Sequence, residues 1–384
     1  MKDRHFLFFL SYGLYMLISL LSTSFYYRYI MVGVYPGVQI SCVALLLLYE
    51  CQMGASRQNP IAIAVLGFLG LISFQVAEGN LTRLVPMMFL YLYSARNIHF
   101  AKIARFSLYL SSVVSALVVF SGYLGIIDNV VVAKGVRIRE YLGFRYALYL
   151  PGILLNITAL WVYLHKDKVP MDGAILLTAI NTFVYIKTDS RISYALALFF
   201  LVSGLAFRFF SRFLEKLQWM WGGISSAFLV CGIFSFLFTA IYQSSIPWMR
   251  RLNSMLESRL SLGKRSLETN GVGFFGQKIT WTGNGLDAAG NSSNLPYTYV
   301  DSLYIKILQR YGGVFTGLAL SLCTWAMVRL WKQKEWLLLV ICAGIAAHCI
   351  LDDLSLGLHY NTFWFPLALV LLNPSALKWK STSE

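Results

Sequence analysis

Apolar residues run through this chain in unbroken blocks separated by short polar stretches, rather than alternating one by one with polar residues. Alternation would signal strands; blocks of this length signal helices, because a bilayer offers backbone groups no water and one crossing takes about 20 apolar residues. The blocks fall at about 6-26, 31-49, 60-77, 82-95, 105-127, 142-164, 171-187, 191-208, 218-243, 302-328, 336-351 and 359-376. They predict an all-α polytopic integral membrane protein with about 12 transmembrane helices, the fourth block being the weakest. A membrane barrel is excluded, since its strands would alternate.

The polar stretches carry the orientation. With the N-terminus inside, the inner loops hold Arg57; Arg96, Lys102 and Arg105; Lys166 and Lys168; Arg208, Arg212 and Lys216; and Arg329, Lys332 and Lys334, with Lys378 and Lys380 in the tail. Basic residues collect on cytoplasmic loops, so both termini are predicted to be cytoplasmic. Lys2 and Arg4 precede the first block and no small-residue cleavage site follows it, so that block is expected to remain as an anchor. Four regions result: N-terminal transmembrane helices over 1-127, central helices with an outer basic loop over 128-243, a large outer loop over 244-300 between spans nine and ten, and C-terminal helices with a short tail over 301-384. Within the large loop, Met249, Leu252, Met255, Leu256 and Leu260 share one helical face, predicting a helix over 246-262 lying on the membrane surface. The glycine-rich part, 271-290, is expected to be irregular.

Composition removes whole classes of function. The chain has 384 residues, 58% of them hydrophobic, more than a water-soluble core can hide. Its net charge of +15 would suggest nucleic acid in a soluble protein, but the basic residues sit between apolar blocks, so no nucleic-acid partner is expected. Six cysteines form no Cys-x-x-Cys pair and read as packing residues, with no metal or redox site. The sequons at Asn80 and Asn291 are chance matches outside a eukaryotic secretory pathway.

The anomaly is that about half of all Lys and Arg residues fall on the predicted outer side, against the usual bias. They gather as Lys134, Arg137, Arg139 and Arg145; as Lys187 and Arg191; and as Arg250, Arg251, Arg259, Lys264, Arg265 and Lys278. The acidic neighbours Glu140, Asp189, Glu257 and Glu268 are too few to balance them, which points to an anionic ligand. Arginine near an apolar segment is costly, and two or more converging on a phosphate offset that cost through charge-assisted hydrogen bonds of about 1.5 to 3 kcal/mol each. A pyrophosphate suits such a set. The competing reading for Arg145 is snorkelling to headgroups beside Tyr141 and Tyr146.

Val300-Asp301-Ser302-Leu303-Tyr304 closes the large loop and enters span ten, ahead of Gly312-Gly313. Asp301 has two readings there, a helix N-cap or a general base at the membrane surface. Asp352 and Asp353, at another outer helix end, are alternatives for the base; His348 one turn inside reads first as a packing histidine. Trp281, Tyr297 and Tyr299 either offer aromatic faces to sugars or belong to an ordinary surface loop.

Taken in order, these residues resemble the polysaccharide polymerase and ligase superfamily, and within it the Wzy-type O-antigen and capsule polymerases. The resemblance runs from about residue 130 to the C-terminus. Its carriers are Arg139 with Gly143-Phe144; Thr188-Asp189-Ser190-Arg191, where relatives often show Thr-Gly-Ser-Arg; Arg259 early in a long outer loop; and Asp301-Ser302-x-Tyr304, where relatives often show His-Asn-x-Tyr or Asp-Asn-x-Tyr. Pro151-Gly152 stands where relatives usually have Pro-Asn. The resemblance implies a glycosyltransferase of the bacterial plasma (inner) membrane. It would join undecaprenyl-pyrophosphate-linked oligosaccharides, as donor and acceptor, by inverting transfer on the outer face, without metal ion or cofactor and with a chain-length regulator as a further partner. It implies Arg191 and Arg259 as pyrophosphate-binding and Asp301 as acceptor-activating catalytic residues, with Arg139 or Arg145 as a phosphate or sugar contact; Arg250 and Arg251 in the outer basic cluster, and Ser302 and Tyr304 beside Asp301, are further expected substrate contacts.

An O-antigen-type ligase, differing only in acceptor, and a lipid-linked oligosaccharide flippase are the alternatives. A flippase would place its charges at mid-membrane with short outer loops, whereas here they lie near outer ends beside a large loop. A noncatalytic scaffold leaves the outer arginines without a purpose.

Overall fold

The computed structural model describes residues 4–30, 33–53, 59–78, 83–134, 137–216 and 218–377. The readings that rest on Lys2, Arg57, Asn80, Lys378 and Lys380, and on the side chains of Lys134 and Arg212, lie outside what is described.

The main helices are α1 (Phe6–Ser22), α2 (Val34–Met53), α3 (Pro60–Gln75), α4 (Leu84–Ser94), α5 (Phe100–Tyr123), α6 (Tyr149–His165), α7 (Met171–Thr188), α8 (Arg191–Lys216), α9 (Ala227–Ile241), α10 (Pro247–Met255), α11 (Arg259–Asn270), α12 (Leu303–Lys332), α13 (Trp336–His348) and α14 (Trp364–Leu372). Apart from α10 and α11, each overlaps one of the apolar blocks, with α2, α5, α8 and α12 running several residues past its edge. Four, namely α2, α5, α8 as far as residue 210, and α12, are long and apolar enough to cross a membrane; α1, α3, α6, α9 and α13 are shorter apolar helices. Their outward faces are lipid-like. Ile40, Leu71 and Ile186 are 70%, 69% and 70% exposed, which water would not tolerate over so many helices.

Local chemistry sets the helix ends. Asn59 caps α3 by accepting from the Ile61 and Ala62 amides, with Pro60 in the first turn, where a missing N–H costs nothing. The block at 359-376 yields only the 9-residue α14. Its polar start, His359 to Thr362, is spent on turns, and Asn361 Oδ1 accepts the Phe363 amide at 3.0 Å.

Two polar ends flank the apolar core. At one end Arg96, buried, donates to Glu50 at 2.6 Å; its carbonyl accepts from Asn373, and Lys166 pairs with Glu335 at 3.2 Å. At the other end lie the long connections, hereafter the loop end. Between α5 and α6 a hairpin of β1 (Val131–Lys134) and β2 (Arg137–Glu140) pairs antiparallel, Val132 opposite Arg139. It is the one sheet among the described residues.

The single surface helix expected over 246-262 is instead a corner. Glu257 and Ser258 take positive φ (47° and 69°), ending α10 and starting α11. Met249 and Leu260 are buried, whereas Met255 is 78% exposed, so the apolar face does not run continuously across a membrane surface. From residue 271 to 302 the chain is irregular, as its glycines predict. It is held by α12, which breaks at Gly312 (φ 90°). The freed helix amides of Gly313 and Val314 donate to the Gly273 and Phe274 carbonyls at 3.0 and 3.1 Å, and Gln277 N–H donates to Arg310 O at 2.9 Å.

Candidate functional site

At the loop end the chain lines a half-open cavity of about 890 Å³. Its cations are Arg137, Arg139, Arg191 and Arg259; its carboxylates are Asp189, Glu257, Asp301 and Asp352. Each side chain arrives by a specific local device. The two-residue period of β2 puts Arg137 and Arg139 on one face, with Ile138 exposed on the other. Asp189 ends α7 in the left-handed conformation, which glycine or aspartate tolerates. From there it pairs with Arg137 and with Arg191, each at 3.1 Å. Arg259 opens α11 just past the Glu257–Ser258 corner, where it donates to the carbonyls of Glu257 and Leu351 at 2.9 and 3.1 Å.

Arg145 follows a turn built by Leu142 (φ 53°) and Gly143 (φ 83°). A side chain on Gly143 would stand 2.7 Å from Val118 O, so glycine is required both for conformation and for space. The turn aims the Arg145 guanidinium at the carbonyls of Ser22 and Leu286 (2.6 and 3.1 Å) and over the Tyr27 ring. A smaller space of about 250 Å³ joins it to the main cavity through Tyr146, Arg259, Tyr297, Asp301 and Asp352.

The carboxylates gather at that junction. Asp301 accepts from the Tyr297 hydroxyl at 2.9 Å and lies 3.8 Å from Arg259. It does not cap α12; Ser302 holds the N-cap position, and neither makes a side-chain cap bond. Burial pushes the Asp301 carboxyl up to about 6, against the pull of Arg259. Burial, reinforced by the neighbouring Asp353, pushes Asp352 up to about 7. Both carboxyls therefore change charge near neutral pH, as a general base does. His348 also lines the cavity: Ser355 lies 3.2 Å from its Nδ1, while Nε2 is 3.7 Å from Asp352 and otherwise without a partner.

The structure revises several expectations. The outer basic residues are better balanced than their counts suggested, because Lys187 pairs with Glu140 at 2.8 Å, Lys264 with Glu268, Lys278 with Glu78, and Arg191 and Arg259 as above. No carboxylate among the described residues pairs with Arg139 or Arg145, and each Nε is buried without a hydrogen-bond partner. Arg250 and Arg251 are exposed on α10 and line none of these spaces. Tyr304 is buried in the apolar core, where its hydroxyl donates to Ala346 O at 2.8 Å. Ser302 is buried with its hydroxyl unpartnered.

Tyr146 and Ser193 enter the main cavity without having been singled out as ligand contacts, and their only sequence signal was proximity to Arg145 and Arg191. No family model, curated protein or solved structure matches the chain.

Proposed function

We propose that the protein is a polysaccharide polymerase that joins lipid-pyrophosphate-linked oligosaccharide repeat units, with about 12 membrane crossings, cytoplasmic termini and the loop end facing outward. The observation that carries this reading is the convergence of Arg139, Arg191 and Arg259 with Asp301 and Asp352 on one cavity at a single end of the helices. A flippase would need its charges at mid-membrane instead.

In this reading an acceptor sugar hydroxyl attacks the anomeric carbon of the donor from the face opposite the pyrophosphate. The new C–O bond forms as the bond to pyrophosphate oxygen breaks, and the hydroxyl proton passes to Asp301 or Asp352. Negative charge then builds on the leaving pyrophosphate. Guanidiniums converging on the cavity stabilise that charge in the transition state, which is where binding energy accelerates a reaction. Among the described residues no carboxylate pairs with Arg139, which leaves it to take a phosphate oxygen. Arg191 and Arg259 exchange part of their carboxylate contact for phosphate.

The test is genetic. The gene is deleted in its host and restored as wild type, Arg191→Ala, Arg259→Ala or Asp301→Ala, with membrane levels confirmed and the surface glycan run on a size ladder. Loss of all but single repeat units supports polymerisation. Full-length polymer retained on its lipid carrier identifies a ligase, accumulation of single units on the inner leaflet identifies a flippase, and an unchanged ladder overturns the reading.

A further inference from the structure

A second cavity of about 610 Å³ lies beyond Arg145, on the far side of Tyr299 and Asp353, both of which also line the joining space. The sequence offers Arg145 as a substrate contact and Trp281 and Tyr299 as faces for sugars, but the proposed reaction leaves this cavity without a ligand of its own. Four buried polar atoms without hydrogen-bond partners belong to residues that line it: Arg145 Nε, Arg310 Nε, His359 Nδ1 and Tyr360 OH. Orphans of this kind are uncommon in folded proteins, and each calls for a partner such as water, an ion or a ligand. His359 and Tyr360 are 6% and 8% exposed. The His359 ring offers a donor or an acceptor at each nitrogen.

The remaining lining has a definite chemistry. Lys306 and Arg310, one turn apart on α12, both lie against the Trp281 ring, 5.8 and 4.8 Å from its centroid. Lys306 also reaches Tyr299 at 2.6 Å and pairs with Asp353. The cavity thus has three cations, Arg145, Lys306 and Arg310, against two carboxylates, Asp353 and Glu78, and the latter is engaged by Lys278. Aromatic faces suit the apolar face of a sugar ring, neutral donors suit its hydroxyls, and an arginine fork with a free edge suits a carboxylate.

We infer that this cavity is a second binding site, for a sugar that carries a carboxylate, such as a uronic acid unit of the glycan. The glycan as source of that sugar rests on the polymerase reading; the site itself does not. The two differ in how they fail. Loss of the polymerase reading leaves sugar binding intact, and loss of this inference leaves the size ladder intact.

The test is saturation-transfer NMR on the full chain in lipid nanodiscs with glucuronate, glucose and inorganic phosphate as probes. Glucuronate is expected to bind about tenfold more tightly than glucose, the increment of one charge-assisted contact. Arg310→Met is expected to erase that preference. Because Arg310 also holds the loop through Ile279 O, Tyr360→Phe serves as the second variant: it removes only an unpartnered hydroxyl and should weaken both sugars while leaving the thermal transition in place. Equal binding of glucose and glucuronate, an unchanged Tyr360→Phe, or displacement of glucuronate by phosphate at equal concentration each overturn the inference.

Discussion

The Arg259 guanidinium stands 3.8 Å from the Asp301 carboxylate, and the oxygen it faces also accepts the Tyr297 hydroxyl at 2.9 Å. Residues 42 positions apart are thereby brought to one junction, between a corner of the large loop and the start of α12. The contact is long for an ion pair, which leaves the carboxylate basic and the guanidinium able to turn toward an incoming anion.

If Arg259 stabilises the leaving group, Arg259→Ala should lower polymerisation by about 10²- to 10³-fold, the cost of removing one preorganised donor. Arg259→Lys should recover only part of this, since an ammonium lacks the planar fork. Transfer measured with purified protein and lipid-linked substrate checks both, and equal activity of the alanine variant and wild type would rule the role out.

The raised carboxyls give the pH dependence a sign. A base must be ionised, so activity should rise with pH through about 6 to 7 and level off above. Asp352→Asn, if it leaves Asp301 as the base, should move that limb to lower pH by removing a like charge. The same groups bind protons more tightly in the folded protein than in the unfolded chain. Their contribution to stability is therefore full below the ordinary value of 3.8 and is lost as pH rises from there through about 6 and 7, which a melting series from about pH 3.5 to 8 in detergent reads directly.

Gly312→Ala should loosen the large loop. Its added Cβ would sit 2.4 Å from the Gly276 nitrogen and 2.5 Å from Phe274 O, at a φ of 90° that other residues resist. Strain of about 1 to 3 kcal/mol is expected at such a position. Limited proteolysis between residues 271 and 280 should accelerate, while Gly313→Ala, with open space at its Cβ, should leave the cleavage rate unchanged.

Arg250→Ala and Arg251→Ala should leave the glycan ladder as it is, since both side chains are exposed and line no part of the cavity. A shortened ladder from either would show that the loop rearranges around substrate.

The helix frame was legible because burying apolar residues in lipid is a local demand, written into runs such as Leu45 to Leu48 or Leu337 to Ile341 and needing no partner to be read. The irregular stretch after Gly271 was legible for the same reason, through its glycines. Arg139, Arg191, Arg259 and Asp301 were found as charges that the apolar pattern did not explain, and the fold does bring them to one cavity. What only the tertiary structure decided was pairing and direction. Arg250, Arg251 and Arg259 look alike in sequence, yet the positive-φ corner at Glu257–Ser258 turns one inward and leaves two outside. Asp352, Lys306 and Arg310 acquired their surroundings from segments tens of residues away, so no local pattern could rank them. Hydrophobicity acts residue by residue, whereas the environment of a charge is the sum of everything the fold puts beside it.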